Sequence, residues 1–336
     1  MYAATMSSIL IAIVNYRTAE LTIDCLRALS QQVGGFINLR VVVVDNNSGD
    51  NSDIKLASAI EGKGWGLWAN VMPLATNGGF AFGNNAVIRQ ALSLSEPPDY
   101  VMLLNPDTVA QEGAIKALVE FMDTHPDVGI AGSKLKNPNG EEERSAHTFP
   151  SPLSELDSGV RLGMVSRLLH RYVVSPPVLA IAHPCDWVSG ASMIIRRKVI
   201  EEIGLMDENY FLYFEEVDLC RRSKNAGWQC WYVPDSVVLH LEGASTGIRT
   251  RAKRRAGYWY NSRRRFFIKH YGIAGLVAAD ILWSIGRLTY LLRKILHLGV
   301  KANQNNDPTW FMFDLIWGDL RAILSGRALR MQYSRE

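Results

Sequence analysis

Tyr100-Val-Met-Leu-Leu-Asn-Pro-Asp-Thr108 is the stretch whose reading decides the fold. Tyr100 to Leu104 has the unbroken apolar character of a strand covered on both faces. Pro106 lacks a backbone donor and ends the ladder, leaving Asn105 and Asp107 at the carboxyl end of that strand. In open α/β sheets ligands sit at this edge, and a carboxylate there can hold a divalent cation that carries phosphates. Asn-Pro-Asp is also ordinary turn chemistry, so the surrounding chain has to decide between the two readings.

Upstream, Ser8 to Tyr16 is a second unbroken apolar run, followed by a helical pattern over Thr18 to Gln32 with Leu21, Cys25, Leu26 and Leu29 on one face. Leu39 to Val44 reads as another buried strand, ending in Asp45-Asn46-Asn47-Ser48. A weaker helix (Asp53 to Ile60) and a short strand (Val71 to Ala75) lead into Asn77-Gly-Gly-Phe-Ala-Phe-Gly-Asn-Asn85, after which Ala86 to Leu94 looks helical. Downstream, Gln111 to Thr124 is a helix and Val128 to Ser133 a strand. Strand and helix alternate about five times, which predicts an α/β fold with a mostly parallel, doubly wound sheet and helices on both faces. Beyond residue 135 the period loosens. Arg144 to Tyr172 has no clear pattern, Cys185 to Arg196 reads as a strand broken at Gly190, and Tyr210 to Asn225 reads as a helix. Gln229 to Val233 and Val237 to His240 read as short strands.

The 336 residues suffice for one large α/β domain and an appendage, and 48% hydrophobic with 21% charged residues is ordinary for a folded protein. Four scattered cysteines with no Cys-x-x-Cys pair point to a reducing compartment and to no zinc site. No signal peptide is expected, and no transmembrane helix, because nowhere do 18 apolar residues run uninterrupted. The net charge of +3 conceals a division: residues 1–248 balance at −9, residues 249–336 at +12. That division predicts an α/β domain over 1–248, with halves near 1–135 and 136–248, and a basic helical extension over 249–336 facing an anionic partner.

Four features carry chemistry. Asp45 can accept from a ribose hydroxyl or a base N–H, or cap a turn. Gly78, Gly79 and Gly83 allow close backbone approach to a ligand, but neither Gly-x-Gly-x-x-Gly nor a Gly-x-x-x-x-Gly-Lys-Ser/Thr loop is present. Glu215, Glu216 and Asp218 follow an aromatic run. Apolar neighbours and like charges both raise a carboxylate's pKa, as a general base near neutrality requires, while Arg221 and Arg222 allow plain intrahelical ion pairs instead. His240 ends a strand and becomes a second ligand if Asp107 holds a metal. From Gly243 to Ala279 nine basic residues occur with no acidic one, and Val277, Ile281, Ile285, Leu288, Leu292 and Ile295 line one helix face. A membrane surface, a nucleic acid and a diphosphate are the candidate partners of the basic stretch. The apolar face suits an interfacial helix, or packing on the α/β domain or on a second copy in a homo-oligomer.

With these pieces in order, residues 8–270 resemble the inverting glycosyltransferases of family 2, which have the GT-A fold, and within them the bacterial rhamnosyltransferases of surface-polysaccharide synthesis. The motifs are Ile-Val-Asn-Tyr at 13–16, Val-Val-Asp-Asn-Asn-Ser at 43–48, the 77–85 loop and Leu-Leu-Asn-Pro-Asp-Thr at 103–108. Asp-Trp-Val-Ser-Gly-Ala at 186–191, Phe-Leu-Tyr-Phe-Glu-Glu-Val-Asp-Leu-Cys-Arg-Arg at 211–222, and His240 with Gly243 to Thr246 complete them. The resemblance implies a nucleotide-sugar site at Asn15, Asp45, Asn77, Gly79, Asn105 and Asp107. It implies an acceptor side at Asp186, Trp187 and Gly190, and a Mg²⁺ or Mn²⁺ ion at Asp107 and His240. Glu216 stands at the family's base position, with Asp218 and Glu215 as alternatives. Asn105 replaces the first carboxylate of the Asp-x-Asp metal motif, which weakens the expected metal binding.

The function so implied is transfer of a sugar, rhamnose from dTDP-rhamnose, from a nucleoside diphosphate donor with inversion. The acceptor would be a lipid-linked saccharide or polysaccharide, the place the cytoplasmic face of the membrane, and no nucleic acid would take part. Another donor, a galactofuranose or hexose nucleotide, is the alternative within the class. A non-catalytic nucleotide-sugar or nucleic-acid binding protein is the alternative outside it.

Overall fold

Seven consecutive buried residues, Ile9–Asn15, form the strand on which the sheet is built (β1). The computed structural model describes residues 7–33, 38–241, 254–298 and 307–333 and divides into two compact units. The first comprises 1–147, 177–211 and 215–249; the second comprises 148–176, 212–214 and 250–336.

In the first unit, β1 leads through α1 (Ala19–Ser30) to β2 (Leu39–Asp45), then through α2 (Ser52–Gly62) to β3 (Ala69–Pro73), α3 (Phe80–Leu92) and β4 (Tyr100–Leu104). After β4 come β5 (Thr108–Ala110), α4 (Ala114–Thr124), β6 (Val128–Lys136), β7 (Glu142–Glu143) and β8 (Ala146–His147). The second unit then takes α5 (Pro152–Val160) and α6 (Gly163–Leu168). The chain returns to the first unit with β9 (His183–Cys185), β10 (Trp187–Val188), β11 (Ser192–Arg196), α7 (Arg197–Ile203), α8 (Glu215–Asn225) and β12 (Gln229–His240).

The main sheet runs β3-β2-β1-β4-β11-β6-β12-β5. β1 pairs in parallel with both β2 and β4, so the order reverses beside it, and the crevice beyond their carboxyl ends is the ligand edge of an open α/β sheet. β11 enters antiparallel between β4 and β6, so the sheet is mixed beyond β4. Ile9, Ile11 and Ile13 alternate into one core layer with Cys25, Leu26 and Leu29 of α1, Val41 and Val43 of β2, and Met102 of β4. The segments read as two strands in 229–240 are one, with the register shift between Val233 and Val237. The helix expected over Ala86 to Leu94 starts earlier, at Phe80, because Gly79 supplies the left-handed turn (φ 91°) from which it begins.

The second unit holds α5, α6, α9 (Gly257–Ile295), α10 (Phe311–Leu324) and α11 (Arg327–Tyr333). Arg144 to Tyr172, patternless in sequence, thus supplies α5, capped by Ser151 with Pro152 in its first turn. α9 breaks at Gly272 (φ 71°, ψ 179°). It is long and apolar enough, by length and composition alone, to cross a membrane, with 33% of its apolar window buried. Beyond the break, Leu276, Ala279, Trp283, Gly286, Arg287 and Tyr290 are buried, while Val277, Ile281, Ile285, Leu288, Leu292 and Ile295 are exposed on the opposite side.

The expected basic patch is largely internal. Arg263, Arg264 and Arg265 are buried, and Arg263 meets Glu155 at 3.1 Å, Asp280 at 2.9 Å and Asp319 at 3.1 Å. Burial of one guanidinium among three carboxylates is tolerable only with this pairing; Asp280's own burial, with the neighbouring Asp319 charge, pushes it up to about 7 against the pull of Arg263. Arg249, Arg251 and Lys253, also read as part of that patch, lie outside the described residues.

The helix expected over Tyr210 to Asn225 begins only at Glu215. Tyr213 (φ 71°) and Phe214 (φ 70°) are left-handed, a conformation aromatic residues rarely hold. Ring contacts over-determine it: Tyr213 stacks on Tyr258 at 6.2 Å, and Phe214 lies 5.6 Å from Phe266.

Candidate active site

The carboxyl edge of β1, β2 and β4 collects the polar residues that the sequence singled out. Asn15 and Asp45 are register partners at the ends of β1 and β2. Asn15 is fully buried: its Nδ2 donates to Asp45 Oδ1 (2.7 Å), and its Oδ1 accepts from Thr18 N, Thr18 Oγ1 and Thr22 Oγ1. Asp45 also accepts from Ser48 Oγ (2.5 Å) and Ser48 N (3.1 Å). Asn15 therefore braces the start of α1 and holds Asp45, and both side chains are buried at the carboxyl ends of β1 and β2.

The loop before α3 is held the same way. Asn77 Oδ1 accepts from Gly79 N and from Asn46 Nδ2, both at 3.0 Å, and Asn46 Nδ2 donates also to the Gly79 carbonyl. A Cβ at Gly79 would stand 2.0 Å from the Phe211 carbonyl oxygen, the same oxygen that accepts from Phe80 N at 2.9 Å. Gly79 is thus a packing requirement of this corner. Asn46 lies within the 43–48 motif, and its signal in the sequence is the run of polar residues right after a buried strand.

Asp107 follows β4 and immediately precedes β5, whose antiparallel pairing sets Thr108 opposite His240 of β12. His240 Nε2 lies 3.5 Å from Asp107 Oδ1, and Leu241 N donates to the Asp107 carbonyl at 2.9 Å. Both side chains are nearly sealed from solvent. A carboxylate and an imidazole together suit Mg²⁺ or Mn²⁺, so the donors fit the expected metal; among the described residues no three His, Cys, Asp or Glu converge on one point. The remaining ligands would come from a diphosphate and water. Asn105 hangs beside them, its backbone N donating to the Ala191 carbonyl at 3.0 Å.

That hydrogen bond leads to the residues expected on the acceptor side. A Cβ at Gly190 would meet Phe80 at 3.5 Å and Glu216 Cβ at 3.6 Å, ordinary contact distances that place the β10–β11 turn beside the first turn of α8. Asp186 pairs with Lys224 at 2.5 Å, and the Trp187 ring stacks on His147 at 4.1 Å. Phe80 lies within the 77–85 motif, whereas His147 and Lys224 carry no distinguishing mark in the sequence.

The three carboxylates opening α8 separate by environment. Asp218 is fully buried, with Oδ2 accepting from Arg222 Nε (2.9 Å) and Oδ1 3.5 Å from Tyr210 Oη. Arg222 in turn donates to the carbonyls of Ile203 and Leu205, so Asp218 anchors α8. Glu215 and Glu216 each leave Oε2 buried without a hydrogen-bond partner. Burial, then the neighbouring Glu216 charge, drives Glu215 well above the usual carboxylate range. Burial pushes Glu216 up to about 7, against the backbone N–H groups of Glu216 and Val217 that pull it down. A carboxylate with a buried, unpaired oxygen that titrates near neutrality can take a proton from a hydroxyl. Gly243 to Thr246 of the last motif lie outside the described residues.

Comparison with known proteins agrees with this geometry. The family model described as "Glycosyltransferase like family 2" matches residues 7–259. An N-acetylglucosaminyl-diphospho-decaprenol L-rhamnosyltransferase of Mycobacterium tuberculosis is 31% identical over 223 residues, 62% of this chain and 68% of the relative. A dTDP-rhamnosyl transferase of Shigella flexneri is 23% identical over 261 residues, 76% of this chain and 79% of the relative. Among solved structures, a mannosyltransferase from Pyrobaculum calidifontis in complex with GDP-Man and Mn²⁺ has a TM-score of 0.53 at 14% identity, over 99% of this chain and 83% of that one. The expected α/β architecture of the GT-A kind is thereby borne out.

Proposed function

The chain belongs to the glycosyltransferase-like family 2, and from that premise we propose that it transfers rhamnose from dTDP-rhamnose to a hydroxyl of a lipid-linked or polysaccharide acceptor, inverting the anomeric centre. The names of the rhamnosyltransferase relatives support the sugar and the acceptor class. The observation that carries the chemistry is Glu216, a half-buried residue whose Oε2 is sealed from solvent without a hydrogen-bond partner and whose pKa is pushed up to about 7, in the corner where Gly190 and Phe80 meet α8.

In this reading Glu216 accepts the proton of the acceptor hydroxyl as its oxygen attacks the sugar from the face opposite the diphosphate. The Glu216 charge instead keeps the more deeply buried Glu215 protonated, because two adjacent carboxylates do not readily ionise together, so Glu216 is the member of the pair that ionises and can accept a proton. Asp218 holds α8 in place through Arg222. Asp45, fixed by Asn15 and Ser48, presents its carboxylate edge to the ribose or base. Asp107 and His240 would hold Mg²⁺ or Mn²⁺, which when bound neutralises charge on the leaving diphosphate. The exposed apolar side of α9 lies on the cytoplasmic face of the membrane, near a lipid-linked substrate.

The deciding experiment offers purified protein a panel of nucleotide-sugars with Mn²⁺ and acceptor-bearing membranes, and follows nucleoside diphosphate release. Release from dTDP-rhamnose, abolished by EDTA and by Asp107→Ala, is the expected result. Release only from a galactofuranose or hexose nucleotide would replace the donor. No release from any donor would overturn the reading in favour of a binding protein.

A further inference from the structure

His240 lies between two carboxylates. Its Nε2 faces Asp107 Oδ1 at 3.5 Å, and its Nδ1 faces Glu143 Oε2 at 3.6 Å. Neither the sequence motifs nor the family comparison brings Glu143 into the site. It stands on β7, a two-residue strand that pairs with β6 through Leu135 and Lys136.

The turn that carries Glu143 back to β6 is braced. Asn137 Oδ1 accepts from Asn139 N (2.9 Å) and Glu141 N (3.0 Å), Asn137 Nδ2 donates to Glu141 Oε2 (2.7 Å), and Lys134 pairs with Glu142 at 3.0 Å. The Glu143 side chain is 18% exposed and that of His240 10%, so both are held in a largely dry corner.

A neutral imidazole carries one N–H, and the nitrogen that binds a metal must be the bare one. Asp107 stands at Nε2, so a cation shared by Asp107 and His240 needs the proton on Nδ1. We infer that Glu143 is the positioning residue for His240: its carboxylate, at ion-pair distance from Nδ1, favours the tautomer with the proton on that nitrogen and so presents Nε2 to the cation. The ring separates Glu143 from Asp107, so Glu143 supports the ligand without being one. This inference rests on the proposal that Asp107 and His240 hold the metal.

The test uses the full chain and Mn²⁺ titration followed by electron paramagnetic resonance, with dTDP present as the diphosphate probe. Wild type, Glu143→Gln, Glu143→Ala and Asp107→Ala are compared, and dTDP affinity without metal is measured for each. Loss of a residue that supports a metal ligand weakens metal binding about 10- to 100-fold. Glu143→Ala is expected to fall in that range with metal-free dTDP affinity unchanged. Glu143→Gln is expected to lose less, because its amide oxygen still faces Nδ1. Mn²⁺ affinity of Glu143→Ala within twofold of wild type overturns the inference, as does an equal loss of metal-free dTDP binding. If wild type binds no Mn²⁺, or Asp107→Ala binds it normally, the metal reading of Asp107 and His240 itself fails, and the role of Glu143 with it.

Discussion

Glu216→Gln separates catalysis from stability, because the same burial that tunes the carboxylate also destabilises the fold. The folded state holds Glu216 near 7, against 4.5 for an ordinary glutamate. A group whose folded pKa is raised binds its proton more tightly in the native state, so stability is fullest below the ordinary value and is lost as pH rises towards 7. Integrating between those two values gives a destabilisation of about 3 kcal/mol at pH 8 and less than about 1 kcal/mol at pH 5. Glutamine has the same shape and no charge, and whatever its amide costs in this corner is the same at both pH values. Relative to wild type, the variant should therefore gain about 2 kcal/mol between pH 5 and pH 8 in urea unfolding. Glu215, relieved of its neighbour's charge, moves in the same direction. Turnover should meanwhile fall on the order of 10²-fold or more, with donor binding retained. A stability difference that does not change with pH would refute the desolvated carboxylate, and near-normal turnover would refute its role as base.

Asp218→Asn breaks a buried pair with Arg222 and should cost about 3 kcal/mol in urea unfolding while turnover per folded molecule stays close to wild type; unchanged stability with a hundredfold slower rate would make Asp218 the base instead. Gly79→Ala forces a Cβ against the Phe211 carbonyl at a φ of 91° and should cost more than about 2 kcal/mol, read as a lowered unfolding midpoint together with lost dTDP binding. Ile285→Glu with Leu288→Glu removes two apolar side chains from the exposed side of α9, and co-sedimentation with anionic vesicles should weaken at least about tenfold. Unaltered sedimentation would mean that this side meets something other than lipid.

β1, β2 and β4 were legible because strands covered on both faces are apolar at every position, and their polar ends then stand out as Asn15, Asp45, Asn105 and Asp107. The start of α8 was not legible. Tyr213 and Phe214 carry no local mark of a left-handed backbone, which their ring packing against Tyr258 and Phe266 sustains. Glu143 was invisible for a related reason. Its neighbour His240 lies 97 positions away, and a two-residue strand with glutamates on both positions has neither period nor apolar content to announce it. The distinction between Asp218 and Glu216 was equally out of reach, because both stand in the first turn of one helix and only tertiary partners divide them.

Net charge misled in a similar way, and the reason bears on the proposed membrane contact. The +12 balance of residues 249–336 suggests an electrostatic surface. Yet Arg263 and Arg264 are spent internally on Glu155, Asp280 and Asp319, and Arg287 pairs with Asp307. Three of those carboxylates are among the few acidic residues of that region, so the balance counts buried pairs that no lipid headgroup can reach. Attraction to an anionic surface would then rest on exposed cations such as Lys294 and Arg321, each worth about 1 kcal/mol next to the bilayer. The larger contribution falls to Ile281, Ile285, Leu288 and Leu292, whose burial is worth several times more in total than the two charges. Membrane binding of this protein should accordingly survive high salt, which screens the cations but not the apolar side of α9.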